Sequence, residues 1–442
     1  MLNDAKECFG LQGIELHPVT DAGSNVQRAI RLADLDSHLC LGHGLHDLVT
    51  VDGIDSVPEL SSLVKKCKKI VKTVRYRLPE LERSAKEQLK VLQSMEEVSN
   101  HLEMDENQPI VNEEPEPYLV SESQTISDEF SNINHVPTIK TSLPTRWHSV
   151  LAMLESLAHF CNREPVNNIL SEIGKSDLKI CQREWNLLED LVRFLRKFRE
   201  VVEMLSTQKA TSLNLALVLN LEIRDILHSV TDEETLVMVQ LKNKMLAKLE
   251  KRFPITEKVV VAALLDTRFI SLTQIDTYLE QKNSTRAALL AKYLKKDIDV
   301  SRVSATVVAA PNASSSSADD SLLAKLTRKH SSSTTPSVNI NLECSEADQE
   351  CCRYLTAATA NDVVNEDILQ YWRGNKEAFP LLTGLVRAIL AIPATSTPSE
   401  RVFSIAGLTV TAKRSRLSPG RVNKIIFIHN NYDLCKDKEH TQ

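Results

Sequence analysis

Cys40 and His43, three residues apart in Cys40-Leu41-Gly42-His43, have the donor types of a zinc site. Zinc normally takes four ligands, and no second pair stands near them. No Cys-x-x-Cys followed by His-x-His occurs anywhere in the chain. Two carboxylates stand where carboxylates do local work. Asp21 lies in a strand-to-helix turn, where an aspartate side chain accepts from nearby backbone amides. Glu400 lies in Thr397-Pro398-Ser399-Glu400, which reads as a capping box with proline at the first helical position. Helix initiation explains it without further chemistry. Lys413, Arg414 and Arg416 form a small basic cluster that suits a phosphate or an import receptor, and more often an exposed loop. His46 and His148 receive no role from the sequence.

The elements that must position these residues are helical by pattern. Glycine is scarce, 11 in 442 residues, which favours helices over turn-rich β architecture. The 42% hydrophobic content supports a sizeable core, and the 25% charged content is ordinary for a globular chain. A net charge of −6 gives no overall basic field, so nucleic-acid binding through a global positive surface is disfavoured. Nine cysteines without repeated pair spacing, and no signal peptide, read as reduced thiols in the nucleus or cytosol. The longest apolar runs, such as Val259–Leu265, are too short to span a bilayer. A soluble intracellular protein is expected.

Along the chain, LQGIELHPVT at 11–20 is strand-like and ends at Asp21. Ser24 with Gln27 offers a capping box for a short helix, SHLCL a brief strand, and HGLHDLVTV further helix. Residues 58–94 predict one or two amphipathic helices. Leu60, Leu63, Val64, Cys67 and Val71 form one face, opposite a solvated face of Lys65, Lys66, Lys68 and Lys69. The stretch from Glu103 to Glu129 is acidic, proline-bearing and free of Lys or Arg, and is expected to be a disordered linker. Leu188, Leu191, Leu195, Phe198, Val202 and Leu205 recur three and four apart, one helical stripe among several between 145 and 297. A Ser/Ala/Thr-rich insert at 303–338 lacks the large apolar residues of a core. Helices are then predicted at 362–373, 380–391, 398–406 and 419–431.

Several stretches, in order, resemble landmarks of hAT-superfamily transposases: TDAGSN at 20–25, Cys40-x-x-His43, PTRWHSVLAML at 144–154 and LLDTRF at 264–269. The most specific is YWRGNKEAFPLL…AIPATSTPSERVFSIAG…RSRLSPGRVNKIIFIHNNY at 371–432, which is similar to the dimerisation segment closing those proteins. The resemblance implies a mainly α fold with a small α/β remnant. That fold is an incomplete RNase H-like domain interrupted by an all-helical insertion domain, followed by a C-terminal helical dimerisation region. The implied domains are a partial RNase H-like fragment at 1–56, a helical segment at 57–102 and an acidic linker at 103–143. A helical insertion domain at 144–300, a Ser-rich insert at 301–341 and the dimerisation region at 342–434 follow.

Catalysis in that family resembles two-metal phosphoryl chemistry on three carboxylates. Asp21 matches the second and Glu400 the third, while the first, together with a BED-type finger, is expected upstream of Met1. The chain is therefore expected to be a catalytically inactive, truncated remnant without a cofactor, although intact family members use Mg. Cys40, His43, Arg146 and Trp147 fall by resemblance near the DNA, with Trp147 stacking on an extrahelical base. From the residues alone, Trp147 packs beside Val150 and Leu151 at the start of its helix, which is the preferred reading. Trp372, Phe379, Leu382, Leu385, Val386, Ile389, Val422, Ile425, Ile426 and Phe427 are the candidate dimer interface, because helices this apolar need burial. The expected partner is a second copy or a related hAT-derived protein, with weak nucleic-acid contact, no membrane, and nuclear localisation (alternatively cytoplasmic). The rival expectation is a piece of a functional transposase or a DNA-binding regulator whose N-terminal exons are missing.

Overall fold

A computed structural model describes residue 7 and residues 16–104, 138–142, 147–207, 210–231, 234–301, 345–360, 367–410 and 416–436. Most of the expected acidic linker and the Ser-rich insert lie outside the described residues, as do Arg146, Lys413 and Arg414. The described chain is mostly helical and separates into two compact units. Among the described residues no helix is long and apolar enough to cross a membrane.

One unit comprises Val49–Arg199 and Val230–Met245. Its main elements are α3 (Pro58–Val74), α4 (Leu78–Met104), α5 (Trp147–Ala158), α6 (Phe160–Glu172) and the first part of α7 (Gln182–Leu205). The stripe Leu60, Leu63, Val64, Cys67 and Val71 is buried as its spacing requires, while Lys65, Lys68, Lys69 and Lys72 are exposed. Lys66 differs from its neighbours in forming an ion pair with Glu184 at 2.7 Å. Ala85 of α4 packs against Cys161 of α6. Glu155 of α5 receives Arg196 at 2.8 Å and Arg199 at 3.1 Å, which ties α5 to α7.

The other unit comprises Met1–Leu48, Glu200–Ser229 and Leu246–Gln442. It opens with β1 (Val19–Thr20), α1 (Ser24–Leu32), β2 (His38–Leu39) and α2 (Leu41–Asp47). The strands pair in parallel, Val19 with His38 and Thr20 with Leu39. They are shorter than the pattern suggests, two residues each, and residues 11–15 lie outside the described residues. The Ser24–Gln27 capping box is not formed, because Gly23 is the N-cap. Asp21 Oδ1 instead accepts the Gly23 amide at 3.0 Å, and Gln27 Nε2 donates back to Asp21 O at 2.9 Å. Gly44 of α2 lies so close to the Arg252 carbonyl that any side chain there would collide with it. Arg252 also pairs with Asp47 at 2.6 Å, so α2 is held against that carbonyl from both sides.

The centre of this unit is α10 (Glu257–Leu264), preceded by α8 (Ala216–His228) and α9 (Leu236–Arg252). Every residue from Val259 to Leu265 is buried. Each large side chain so enclosed contributes roughly 1.5–3 kcal/mol. The Asp266 carboxylate that follows is wholly buried, and it is satisfied by Asn214 Nδ2 at 2.7 Å and by Arg268 at 2.8–3.1 Å. This explains LLDTRF as packing: the arginine neutralises an aspartate that could not otherwise be enclosed. After α11 (Thr273–Gln281) and α12 (Arg286–Ser301) come α13 (Glu346–Ala360), α14 (Ile368–Gly374), α15 (Pro380–Leu390), α16 (Thr397–Thr409) and α17 (Pro419–Lys436).

Helix α13 has no counterpart in the expectations above. Its inward residues, Ala347, Cys351, Tyr354, Leu355 and Ala358, keep helical spacing with mostly small side chains. Tyr354 donates its hydroxyl to Leu264 O at 2.9 Å, and Trp372 donates Nε1 to Leu265 O at 2.8 Å. Both cover the carbonyl end of α10. Buried Glu350 accepts the Leu382 amide at 2.8 Å and so supplies the first turn of α15.

Candidate functional site

Asp21 and Cys40 each follow directly on a strand of the parallel pair, so adjacency of the strands brings these two positions to the same sheet end. The Cys40 amide donates to Thr20 O at 2.7 Å, and the Leu41 amide to Ala394 O at 3.0 Å. Ala394 is fixed in turn through its own amide, which donates to Ser212 Oγ at 3.0 Å. These bonds lay residues 394–396 along the sheet end and set Ser396 over the Cys40 sulfur. Cys40 Sγ accepts from Ser396 N at 3.1 Å and from Ser396 Oγ at 3.3 Å. Ser396 Oγ also lies 3.1 Å from Glu400 Oε1.

Ser396 is the N-cap of α16, with Pro398 in its first two positions, so the helix begins one residue earlier than the Thr397 capping box proposes. Ser396 is held by Cys40, and its hydroxyl meets the Glu400 carboxylate.

His43, one turn into α2, places Nε2 3.7 Å from Glu400 Oε1. The neighbouring Cys40 sulfur raises its pKa to about 9, against the opposing effect of burial and with support from Glu400 and Asp21. Burial pushes the Cys40 thiol up, but His43 beside it and the bonds from Ser396 more than offset this and leave it lowered. The His43 ring thus stands near both the Cys40 sulfur and the Glu400 carboxylate. The sulfur is only 4% exposed, which does not suit a nucleophile that must reach substrate.

Glu400 Oε1 lies 3.7 Å from His43 Nε2, and one Asp21 oxygen accepts the Gly23 amide. Among the described residues no three His, Cys, Asp or Glu side chains stand in metal-holding geometry. No reaction step is derived through a metal ion.

Asp21, Cys40, His43 and Glu400, distant in sequence, thus fall in one unit and converge, with Ser396 as the member that sequence reasoning missed. Serine in a turn before a proline carries no distinguishing signal. Trp147 belongs to the other unit and is 3% exposed, packed on the inner face of α5 with Leu151 and Leu154 also buried. In this conformation its ring offers no face to a base.

The ten candidate interface residues divide. Trp372, Phe379, Leu382, Leu385, Val386 and Ile389 are buried within the chain's own core, so they are not free to meet a partner. The burial has a simple cause: α14 and α15 find cover on α10, α12 and α13 of the same chain. Val422 and Ile426 are half-buried and Ile425 and Phe427 exposed, all on α17. Helix α16 adds Phe403 (75% exposed) and Leu408 (79%), and α17 adds Ile428 and Tyr432. The signal for α16 is present in the sequence. Val402, Ile405, Ala406 and Thr409 make one apolar face, and Phe403 and Leu408 stand outside it, so the helix is apolar on more than one side.

Residues 350–432 match the hAT family C-terminal dimerisation region. The exposed helices α16 and α17 thus lie within a stretch similar to a hAT dimerisation region. The relatives it matches are two Zea mays proteins assigned as the AC transposase and the AC9 transposase. The first is 25% identical over 304 residues, covering 65% of this chain and 36% of the relative. The second is 26% identical over 259 residues, covering 56% of this chain and 30% of the relative. The alignments span about a third of the length of these curated relatives.

Proposed function

We propose that this chain is a transposase-derived protein that self-associates through the hairpin α16–α17, with a second copy or a related hAT-derived chain as partner. The observation that carries the reading is the exposure of Phe403, Leu408, Ile425, Phe427, Ile428 and Tyr432 on two helices inside the matched dimerisation region. An exposed apolar surface rimmed by polar residues is the usual mark of a protein interface. Sedimentation velocity of the full chain tests it: two chains per particle at micromolar concentration support the reading, and a single chain at every concentration refutes it.

The reading extends to chemistry. This 442-residue polypeptide does not cut or join DNA, since Asp21 and Glu400 are engaged by Gly23 and His43. Cleavage or strand transfer by the purified chain with magnesium or manganese overturns that. The convergence of Asp21 and Glu400 favours a second reading, in which this stretch is part of a working transposase. Activity that appears only in a longer polypeptide would favour it. A nuclear location fits either reading.

A further inference from the structure

Helix α16 is only lightly held by its unit. Of Thr397–Thr409, Thr409 in the last turn is buried, and Val402, Ile405 and Ala406 are half-buried. The first turn is tied by Ser396 to Cys40, by Glu400 to Ser396 and His43, and by Thr397 Oγ1 to Ser206 Oγ at 3.4 Å. Beyond that turn its chief neighbour is α17, which is itself largely exposed. Helices in proteins owe most of their stability to burial of an apolar face. In the single chain, α16 has little of it.

Resting on the self-association proposed above, we infer that a second copy of this chain, seated on the outward faces of α16 and α17, holds the Cys40–His43–Ser396–Glu400 cluster closed. Assembly state and cluster are coupled because they share a helix. Phe403 follows Glu400 by three residues, so cover over Phe403 immobilises the turn that carries the carboxylate. A second copy is the occupant because both helices lie within the matched dimerisation region. Without the partner, α16 loosens, Ser396 leaves the sulfur, and Cys40 becomes accessible. Local opening of a weakly packed element of this kind is an ordinary low-energy event.

Cys40 therefore reports on the coupling. Full-length protein is alkylated with iodoacetamide over a concentration series, and peptide-resolved mass spectrometry follows Cys40. Cys351 serves as the control for unfolding of the unit, because it is buried in the core of the same unit as Cys40 with its thiol pushed up to about 12. Sedimentation velocity is run at the same concentrations. The expected result is that Cys40 labelling slows as the mass rises from one chain to two. In the double variant Phe403→Asp, Leu408→Asp the mass stays at one chain and Cys40 labels on the order of tenfold faster, with Cys351 unchanged. A single-chain variant whose Cys40 is as protected as in the dimer overturns the inference and leaves self-association standing. An unaltered chain that never dimerises sinks both, and mass alone reveals it. If the double variant exposes Cys351 its unit has unfolded, and dilution of the unaltered chain decides the matter without any substitution.

Discussion

Helices α13–α15 and α16–α17 are neighbours in sequence, lie largely in the same matched region and are similarly apolar, yet they spend their apolar residues in opposite ways. In the first group the stripe faces α10, and the buried polar atoms are answered. Tyr354 and Trp372 reach the α10 carbonyls, and Glu350 supplies the Leu382 amide. In the second, Phe403, Leu408 and Phe427 have no such cover, and the polar bonds gather at one end beside Cys40. Apolar content alone does not separate core from interface. What separates them is whether the same chain supplies both the covering surface and partners for the polar groups that go inside.

Four experiments would break or sharpen this contrast. The largest effect is expected in the packed group. Leu382→Asp places a charge at a site with 0% exposure and should cost about 4 kcal/mol or more. That is enough to abolish a cooperative denaturant transition for this unit, and a normal midpoint would mean α15 is not core.

Acid should next loosen the packed body. Burial, aided by the Lys258 charge and opposed by Asp36, lowers the His38 pKa to about 4. Between the unfolded value of 6.5 and 4, the unfolded chain binds a proton that the folded one refuses. Stability is therefore undiminished above pH 6.5 and falls by on the order of 3 kcal/mol as pH drops through that window. Urea midpoints measured across the window should show the slope, and His38→Gln should flatten it.

In the hairpin the expected change is in mass rather than stability. Phe403→Asp should weaken association by about 2 kcal/mol, a loss in affinity of roughly thirtyfold. An unchanged sedimentation profile would place the interface elsewhere. The smallest effect belongs to Phe427→Ser at a 69%-exposed site, which should shift the melting stability of the dissociated chain by less than about 0.5 kcal/mol. A large loss there would show that α17 is covered by its own chain.

Much of the fold is visible in the pattern of residues. The stripe Leu188 to Leu205 marks α7, and the starts of α15 and α17 follow their prolines. Helix α13 is hidden because small residues make up most of its inner face, so its periodicity carries little hydrophobic weight. The site is partly legible. Resemblance brings Asp21, Cys40, His43 and Glu400 to attention, but nothing local marks Ser396, whose role exists only because residues 394–396 run beside β2. Glu350 is hidden for the same reason, since its partner is an amide 32 residues away. The six buried interface candidates show the limit from the other side: their pattern says that they need cover and is silent on its source.

Spacing and residue type settle what is local in this protein, namely its helical character, the faces of its longer helices and the apolar excess of α16 and α17. Those properties depend on interactions within a few turns of chain. Packing settles the rest: that Trp372 and Leu382 go inside, that Phe403 and Leu408 stay outside, and that a sulfur at the end of a two-residue strand meets a serine 356 positions later. Such pairings depend on which surfaces lie opposite one another once the chain is folded, and one-dimensional order does not encode that directly.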